Sequence, residues 1–352
     1  MTSSVETPLD PLDRQLVDLL RQRRAVVRRL VETPPRQSHE TDQAEERRIR
    51  DLVEESADEV PEALLQAVFR EVLSDQRALL RPVQVAFFGN PATFTHQAAL
   101  QQFGRSAEYI PRKTIGDVFD AVTRGEATHG VVPVEISTEG AVTHTLDMFV
   151  DATVRISAEI NMRIHHNLLC RCETAAIERI YSHPQVFGQC RRWLRDNLPG
   201  IPLVEVSSTT EAVHRCGEEQ AAAALASELA AEEYDVPLRA RQIEDFQDNT
   251  TRFLVLSSEE TDGSPNDDKI SLMFVVRDRP GALYDCLQPL HQHAVNMTMI
   301  ESRPSKRRSW EYYFFVDLIG NVKDPKLRKA LDGLGAQCEF VKILGNYPRA
   351  NG

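Results

Sequence analysis

The stretch VQVAFFGNPATFTHQAALQQFG, Val83 to Gly104, decides the fold. Its apolar run VQVAFFG reads as a buried strand ending in a glycine turn, and THQAALQQFG then reads as a helix. Strand, glycine turn and helix in that order mark an α/β unit whose ligand loops lie at strand ends. The same alternation continues downstream. GVVPVE (130–135) is a strand, and IYSHPQVFGQCRRWLRDNL (180–198) is strand, turn and helix. AAAALASELAAEEY (221–234) is an alanine-rich segment running into a helix, and TRFLVLS (251–257) is a strand again.

Upstream of Val83 no β pattern occurs. Leu9, Leu12, Leu16, Leu19, Val26 and Leu30 recur at helical spacing, with Arg23 on the same stripe, and Pro34-Pro35 stop that helix. A charged second helix is expected over Asp42–Glu55. A third is expected from Pro61 to Leu80, with Leu65, Val68, Phe69, Val72 and Leu79 on its apolar face. Downstream, residues 257–269 have the composition of a linker. The segment from Ile270 to Gly320 reads strand, turn, helix, strand, loop, strand. A helix near Asp324–Leu334 and a strand over Cys338–Leu344 complete a βαββαβ module. Three domains are expected: 1–82, 83–260 and 261–352.

The chain has 352 residues and a formal net charge of −12, which argues against nucleic acid or an anionic membrane as the main partner. A small anionic ligand needs only a local cluster of arginine, hydroxyls and backbone N–H groups. No apolar run is long enough to span a bilayer, and the polar start MTSSVETPLD has no targeting pattern. The six cysteines are scattered, with one C-x-C pair at Cys170 and Cys172 and no second pair for zinc. Reduced thiols in the cytoplasm are expected.

Four motifs, GNPATFTHQAA (89–99), VVPVEISTEGAV (131–142), YSHPQVFGQC (181–190) and NTTRFLVL (249–256), resemble in order those of prephenate dehydratases. RPGALYDCL (279–287) and IESRPSKRRSWEYYFFVD (300–317) resemble the two ligand motifs of a phenylalanine-sensing ACT domain. LDPLDRQLVDLLRQRRAVV (9–27) is similar to the first helix of an AroQ-type chorismate mutase. The whole chain therefore resembles the bifunctional chorismate mutase/prephenate dehydratase family. That resemblance implies a multidomain α and α/β protein. It has an AroQ-like helical domain, a two-lobed dehydratase domain of periplasmic-binding-protein-like type, and an ACT domain. It also implies a homodimer or homotetramer in phenylalanine biosynthesis, using no metal or organic cofactor.

The resemblance places Thr251 as proton donor to the leaving hydroxyl of prephenate, with Arg252 supporting the site or holding a carboxylate. Thr93, Thr95, Ser137, Thr138, Gly140, Ser182 and Gln189 are the expected substrate contacts. Thr93 and Thr95 also suit plain helix capping, since an anion and a cap use the same N-terminus. His165 and His166 read as structural, and His183 equally as a turn residue. Gly281, Ala282, Leu283, Asn296, Glu301, Ser302, Arg303 and Pro304 are the expected phenylalanine contacts, with L-phenylalanine as effector. Nothing in the sequence separates prephenate from arogenate.

Three departures from the family stand out. Asn90-Pro91-Ala92 lacks the glycine usual in the first loop, which constrains φ there. Ile136 stands where the family has an active-site asparagine, and it can neither donate nor accept a hydrogen bond. Loss of one such contact to a polar ligand costs ~1–3 kcal/mol, roughly ten- to a hundredfold in rate. In the helical domain Arg23 fits the mutase pattern, but the other expected cations fall at Glu6, Pro34 and near Glu45, and the third-helix Gln or Glu falls at Leu80. Weak or absent mutase activity is expected, with the domain serving as a dimerisation bundle. Two other readings compete: a non-catalytic ligand sensor, and a fully bifunctional enzyme that also consumes chorismate.

Overall fold

The computed structural model describes residues 8–31, 38–56, 58–246, 248–259, 268–305 and 311–350. Contacts divide the chain into two compact units, Met1–Gln84 with Leu100–Glu108, and Val85–Ala99 with Tyr109–Gly352.

The first unit holds three helices, α1 (Asp10–Val31), α2 (Ser38–Ser56) and α3 (Glu62–Leu80). The second begins four residues before the expected Asp42. Helix α3 packs against both α1 and α2. Its small core is Val27, Ile49, Val53 and Leu73. The leucine stripe of α1 is not part of that core: Leu9, Leu12, Leu16, Leu19 and Leu30 are each more than half exposed. Three helices of this length bury one seam among themselves and leave the opposite face of α1 uncovered. The turn at residues 104–106 belongs to this unit. Glu71 Oε2 accepts from the Arg105 N–H at 2.9 Å, and Ser74 Oγ from the Ser106 N–H at 3.0 Å. The positions Glu6 and Pro34, and all but Ser305 of the basic run SKRR, lie outside the described residues.

The second unit contains two lobes and a C-terminal module. Lobe one uses β1 (Gln84–Phe88), α4 (Phe94–Phe103), β2 (Glu108–Arg112), α5 (Ile115–Thr123), β3 (His129–Ile136), β4 (Gly140–Ala141), α6 (Thr143–Met148) and β5 (Arg155–Arg163). Helix α5 starts at a capping box in which Thr114 and Asp117 satisfy each other's backbone N–H. Lobe two uses β6 (Asn167–Cys170), β7 (Arg179–Ser182), α7 (Pro184–Gln189), α8 (Arg191–Asn197), β8 (Leu203–Glu205), α9 (Thr209–Glu218), β9 (Ala222–Ala226), α10 (Glu228–Glu233) and β10 (Leu238–Ala240). The alanine-rich segment is thus a wholly buried central strand before its helix. The chain then returns to lobe one as β11 (Thr250–Ser257).

Lobe one has strand order β2-β1-β3-β11-β5 with β4 on β3, and lobe two β10-β6-β9-β7-β8. Strand β11 lies antiparallel between β3 and β5. The chain therefore crosses between lobes twice, after β5 and before β11. The two crossings hydrogen-bond to each other: Ile164 N–H donates to the Asn249 carbonyl and Ile243 N–H to the His166 carbonyl, both at 2.8 Å.

The C-terminal module is β12 (Asp268–Val276), α11 (Ala282–Gln292), β13 (Met297–Pro304), β14 (Tyr312–Ile319), α12 (Pro325–Gln337) and β15 (Cys338–Pro348), in sheet order β13-β14-β12-β15. This is the βαββαβ module that the sequence predicts. Strand β12 is buried on both faces. Ile270, Leu272 and Phe274 pack with α11 and α12, while Met273 and Val275 pack with Leu254, Leu256 and Ile156 of lobe one. Among the described residues no helix is long and apolar enough to cross a membrane.

Candidate active site

The site grows from the position of Thr251. On β11 it pairs with Ile136 of β3 on one side and Met162 of β5 on the other. Directly opposed residues of antiparallel strands share a face. Ile136 is therefore the immediate neighbour of Thr251, and the sequence departure falls beside the expected proton donor. Thr251 is 7% exposed, and no side-chain hydrogen bond engages its hydroxyl among the described residues. An unengaged hydroxyl on an otherwise buried residue is available to a ligand.

The turn after Ile136 is a tight hairpin. Glu139 N–H donates to the Ile136 carbonyl at 3.0 Å, and Gly140 closes the turn at φ +85°, where a glycine carries no Cβ penalty. Ser137 ties this turn to β11. Its Oγ accepts from the Thr250 N–H at 3.0 Å and its own N–H donates to the Thr250 carbonyl at 2.9 Å. Thr138 and Glu139 reach lobe two. Gln189 Nε2 approaches Thr138 Oγ1 at 3.5 Å, and Gln185 Nε2 hydrogen-bonds Glu139 Oε1.

Gln189 is held in one orientation. Its Oε1 accepts from Asn249 Nδ2 at 3.2 Å and pairs with His166 Nε2 at 2.7 Å. An amide oxygen only accepts, so His166 carries its proton on Nε2. The Gln189 NH₂ is thereby left pointing at the Thr138 turn. Burial lowers the His166 pKa and keeps the ring neutral, although Gln189 and Glu244 pull the other way. Glu244, with its side chain buried, accepts from the His166 N–H at 2.9 Å and contacts His165 Nδ1 at 2.7 Å. His166 Nδ1 and Asn249 Oδ1 are buried acceptors with no protein partner among the described residues.

The first loop meets the same cluster. Phe94, the first residue of α4, lies edge-on to His166 with ring centroids 5.4 Å apart. Thr93 caps α4, its Oγ1 donating to the Asn90 carbonyl at 2.8 Å and accepting from the His96 N–H at 3.4 Å. Thr95 is buried in the first turn. The loop keeps the glycine-type backbone without the glycine: Ala92 sits at φ +62° and is buried. Two contacts pin it. Ala92 N–H donates to His96 Nδ1 at 3.0 Å, and Ser227 Oγ of lobe two donates to the Ala92 carbonyl at 3.2 Å. His96 must be neutral to accept that bond. Burial lowers its pKa, with Glu233 opposing. It stacks on Phe87 at 4.6 Å.

Phe94, His166, Gln189, Asn249, Thr138 and Ser137 thus form one chain of contacts ending beside Thr251. Two expected residues, Ser182 and Arg252, sit elsewhere or face away, and His183 takes the turn role that the sequence equally allowed. Ser182 is fully buried and donates to the Leu225 carbonyl at 2.8 Å inside the lobe-two sheet. His183 caps α7, its Nδ1 accepting from Gln185 N–H at 3.3 Å. Arg252, next to Thr251 on a strand, points to the opposite face and contacts the C-terminal sheet. The sequence reading did not assign His166, Asn249, Glu244 or His96. Asn249 and His96 stand within two of the quoted motifs, while His166 and Glu244 are recognisable only once the crossings are folded.

In the C-terminal module Gly281, at φ +78°, with Ala282 and Leu283 starts α11, and Asn296 precedes β13. Glu301–Pro304 lie on edge strand β13, where exposure alternates residue by residue. Arg303 Nε reaches Asp147 Oδ1 of α6 at 3.3 Å. In the helical unit Arg23 Nη2 bonds Glu45 Oε1 at 2.8 Å, and Gln76 Nε2 hydrogen-bonds the other Glu45 oxygen. Among the described residues no group of three His, Cys, Asp or Glu side chains is placed to hold a metal.

The sequence pattern of the family described as prephenate dehydratase matches residues 85–261, and that of the ACT domain matches 270–336. A bifunctional chorismate mutase/prephenate dehydratase of Aquifex aeolicus is 41% identical over 97% of this chain and 96% of its own. A prephenate dehydratase of Arthrobacter aurescens, solved in complex with L-Phe, is 33% identical, with TM-score 0.71 over 76% of this chain and 90% of its own. A quorum quenching acylase is 31% identical, with TM-score 0.70 over 76% of this chain and 98% of its own. The inter-lobe cluster beside Thr251, the βαββαβ module and these likenesses agree: the chain belongs to the bifunctional chorismate mutase/prephenate dehydratase family and carries a dehydratase domain followed by an ACT domain.

Proposed function

We propose that the chain converts prephenate to phenylpyruvate, CO₂ and water, with Thr251 as the hydrogen-bond donor to the departing ring hydroxyl. The ring C–COO⁻ bond breaks, its electron pair forms the aromatic ring, and the hydroxyl leaves as water after taking a proton. A donor positioned at that oxygen contributes ~10²–10⁴-fold. The observation that carries the reading is the unengaged hydroxyl of Thr251, a residue 7% exposed, next to a cluster of oriented donors. The Gln189 NH₂ and the N-terminus of α4 suit the substrate's two carboxylates. Ile136 supplies no polar contact, so turnover is slower than an asparagine would permit. L-Phenylalanine acts through the ACT domain at Gly281–Leu283, Asn296 and Glu301–Pro304.

The helical domain, residues 1–82, has little or no mutase activity, because the carboxylate that Arg23 needs is supplied by Glu45 rather than by chorismate. Its exposed leucine stripe fits a second copy of the chain, which supports a homodimer. The domains are 1–82, 83–260 and 261–352.

The test is to incubate the full chain with prephenate and follow phenylpyruvate absorbance. Turnover above the acid-catalysed background, reduced at least ~100-fold in Thr251→Val, is expected. A rate at background for the unaltered protein, or an unchanged rate in the variant, overturns the reading.

A further inference from the structure

A buried charged cluster ties the catalytic strand to the C-terminal sheet. Arg252 Nε donates to Glu159 Oε2 of β5 at 2.7 Å, and Nη2 donates to Tyr347 Oη of β15 at 3.1 Å. Arg252 Nη1 lies 2.6 Å from Asp317 Oδ2 of β14, off the N–H direction, so this contact is an ion pair rather than an aligned hydrogen bond. Lys269 Nζ of β12 donates to the same Glu159 oxygen at 2.7 Å. Ser271 Oγ donates to Asp317 Oδ1 at 2.5 Å, so its 2.6 Å contact with Tyr347 is one in which the phenol donates. Glu159, Asp317 and Tyr347 are at most 5% exposed. Two cations face two buried carboxylates, and each nitrogen of the guanidinium has a protein partner.

The surrounding seam is apolar. Met273, Val275, Phe315 and Leu344 of the C-terminal sheet join Ile156, Leu254 and Leu256 of lobe one in one core. Gly345 lets β15 approach β5: a Cβ there would stand 2.2 Å from the Ile156 carbonyl oxygen. Asp317 pairs in register with Met299 of β13, the strand that carries Glu301–Pro304. A shift of β13 therefore reaches Arg252 across a single strand pairing.

We propose that Arg252 is a positioning residue, not a substrate ligand: with Glu159, Asp317 and Tyr347 it forms a lock through which the C-terminal sheet sets the placement of β11, and so of Thr251. This inference rests on the role given to Thr251 above. A grip on a substrate carboxylate would require Arg252 to abandon partners on three strands. The lock also gives effector binding at β13 a direct mechanical route to the proton donor.

The test compares Asp317→Asn, Tyr347→Phe, Arg252→Lys and the Asp317→Asn/Arg252→Lys double variant in the full chain. Asp317→Asn and Arg252→Lys are each expected to lower kcat about tenfold or more with KM within about threefold, since small displacements of a reacting group are costly. The double variant should be no worse than either single one, because both break one unit. Phenylalanine binding measured by calorimetry should persist in Asp317→Asn while its effect on turnover is lost. Arg252→Lys raising KM at least about tenfold while Asp317→Asn behaves as the unaltered protein would mark a substrate ligand and overturn the proposal. Additive losses would overturn it too. Should Asp317→Asn fail to fold, Tyr347→Phe, which keeps the ring packing, reads the same kcat-against-KM split. If the unaltered chain shows no turnover of prephenate, the dehydratase reading fails separately. Amide exchange of residues 249–257 then tests the lock: faster exchange in Tyr347→Phe supports it, and unchanged exchange overturns it.

Discussion

Arg23 in the helical unit and Thr251 on β11 are both residues that the family resemblance marks for an anionic substrate, and they stand in opposite states. Arg23 is bonded to Glu45, which is itself held by Gln76. Thr251 is buried with a free hydroxyl, beside a Gln189 amide whose orientation His166 and Asn249 fix. A site whose charge is neutralised by its own protein must break an ion pair to bind ligand. A site whose donors are oriented but unengaged does not. The contrast is the physical reason for proposing chemistry at Thr251 and a structural role for the helices.

Three changes break or sharpen that contrast, and a pH response adds a fourth. The largest after Thr251→Val is expected for Ile136→Asn. This restores a polar group facing Thr251 and should raise kcat/KM for prephenate about tenfold. An unchanged value would place the substrate away from position 136. Next is Glu45→Gln, which frees Arg23 and should strengthen chorismate binding to the full chain several-fold, about 1 kcal/mol. Calorimetry showing no change would mean that Glu45 is not what closes that site. The dehydratase rate should stay as it was.

The pH response follows from two buried neutral histidines. His96 and His166 both have pKa values lowered below 6.5, chiefly by burial. In the window between each lowered value and 6.5 the unfolded chain binds the additional proton, so stability rises with pH there and is fully present above 6.5. Acidifying below 6.5 should lower the unfolding free energy by at most about 1.4 kcal/mol per pH unit for each histidine, read as a falling thermal midpoint. His96→Gln and His166→Gln should flatten this dependence, and an unaltered slope in both would show that other groups carry it. The smallest effect is expected for Ala92→Gly. Ala92 occupies the left-handed region at a cost of about 1 kcal/mol. The glycine relieves that strain but frees the unfolded chain and removes a buried methyl, so denaturation should move by less than about 1 kcal/mol.

Much of this architecture was legible in the sequence, because local pattern dictates it. VQVAFFG followed by a glycine turn, the βαββαβ order and the hydroxyl-rich turn after Ile136 are short-range signals, and each became the element it predicts. Three features were not legible. The orientation of Gln189 depends on His166 and Asn249, which meet only where the two inter-lobe crossings pair. Arg252 reads as a site residue by its place next to Thr251. The two-residue period of a strand turns it to the other face, and its partner Asp317 belongs to a different domain. The strip of leucines on α1 signals a helix but not what covers it, and within one chain it stays exposed. Ala92 shows the converse: the missing glycine implies a constrained φ, yet His96 and Ser227 hold the backbone in the glycine-like conformation.

The most direct test of the contrast is a paired assay of the full chain, with chorismate and prephenate supplied separately at equal concentration. Phenylpyruvate formed from prephenate, with chorismate consumed far more slowly or not at all, is the predicted result. Chorismate consumed as fast as prephenate would contradict the account, because an Arg23 held by Glu45 would then have to serve catalysis after all.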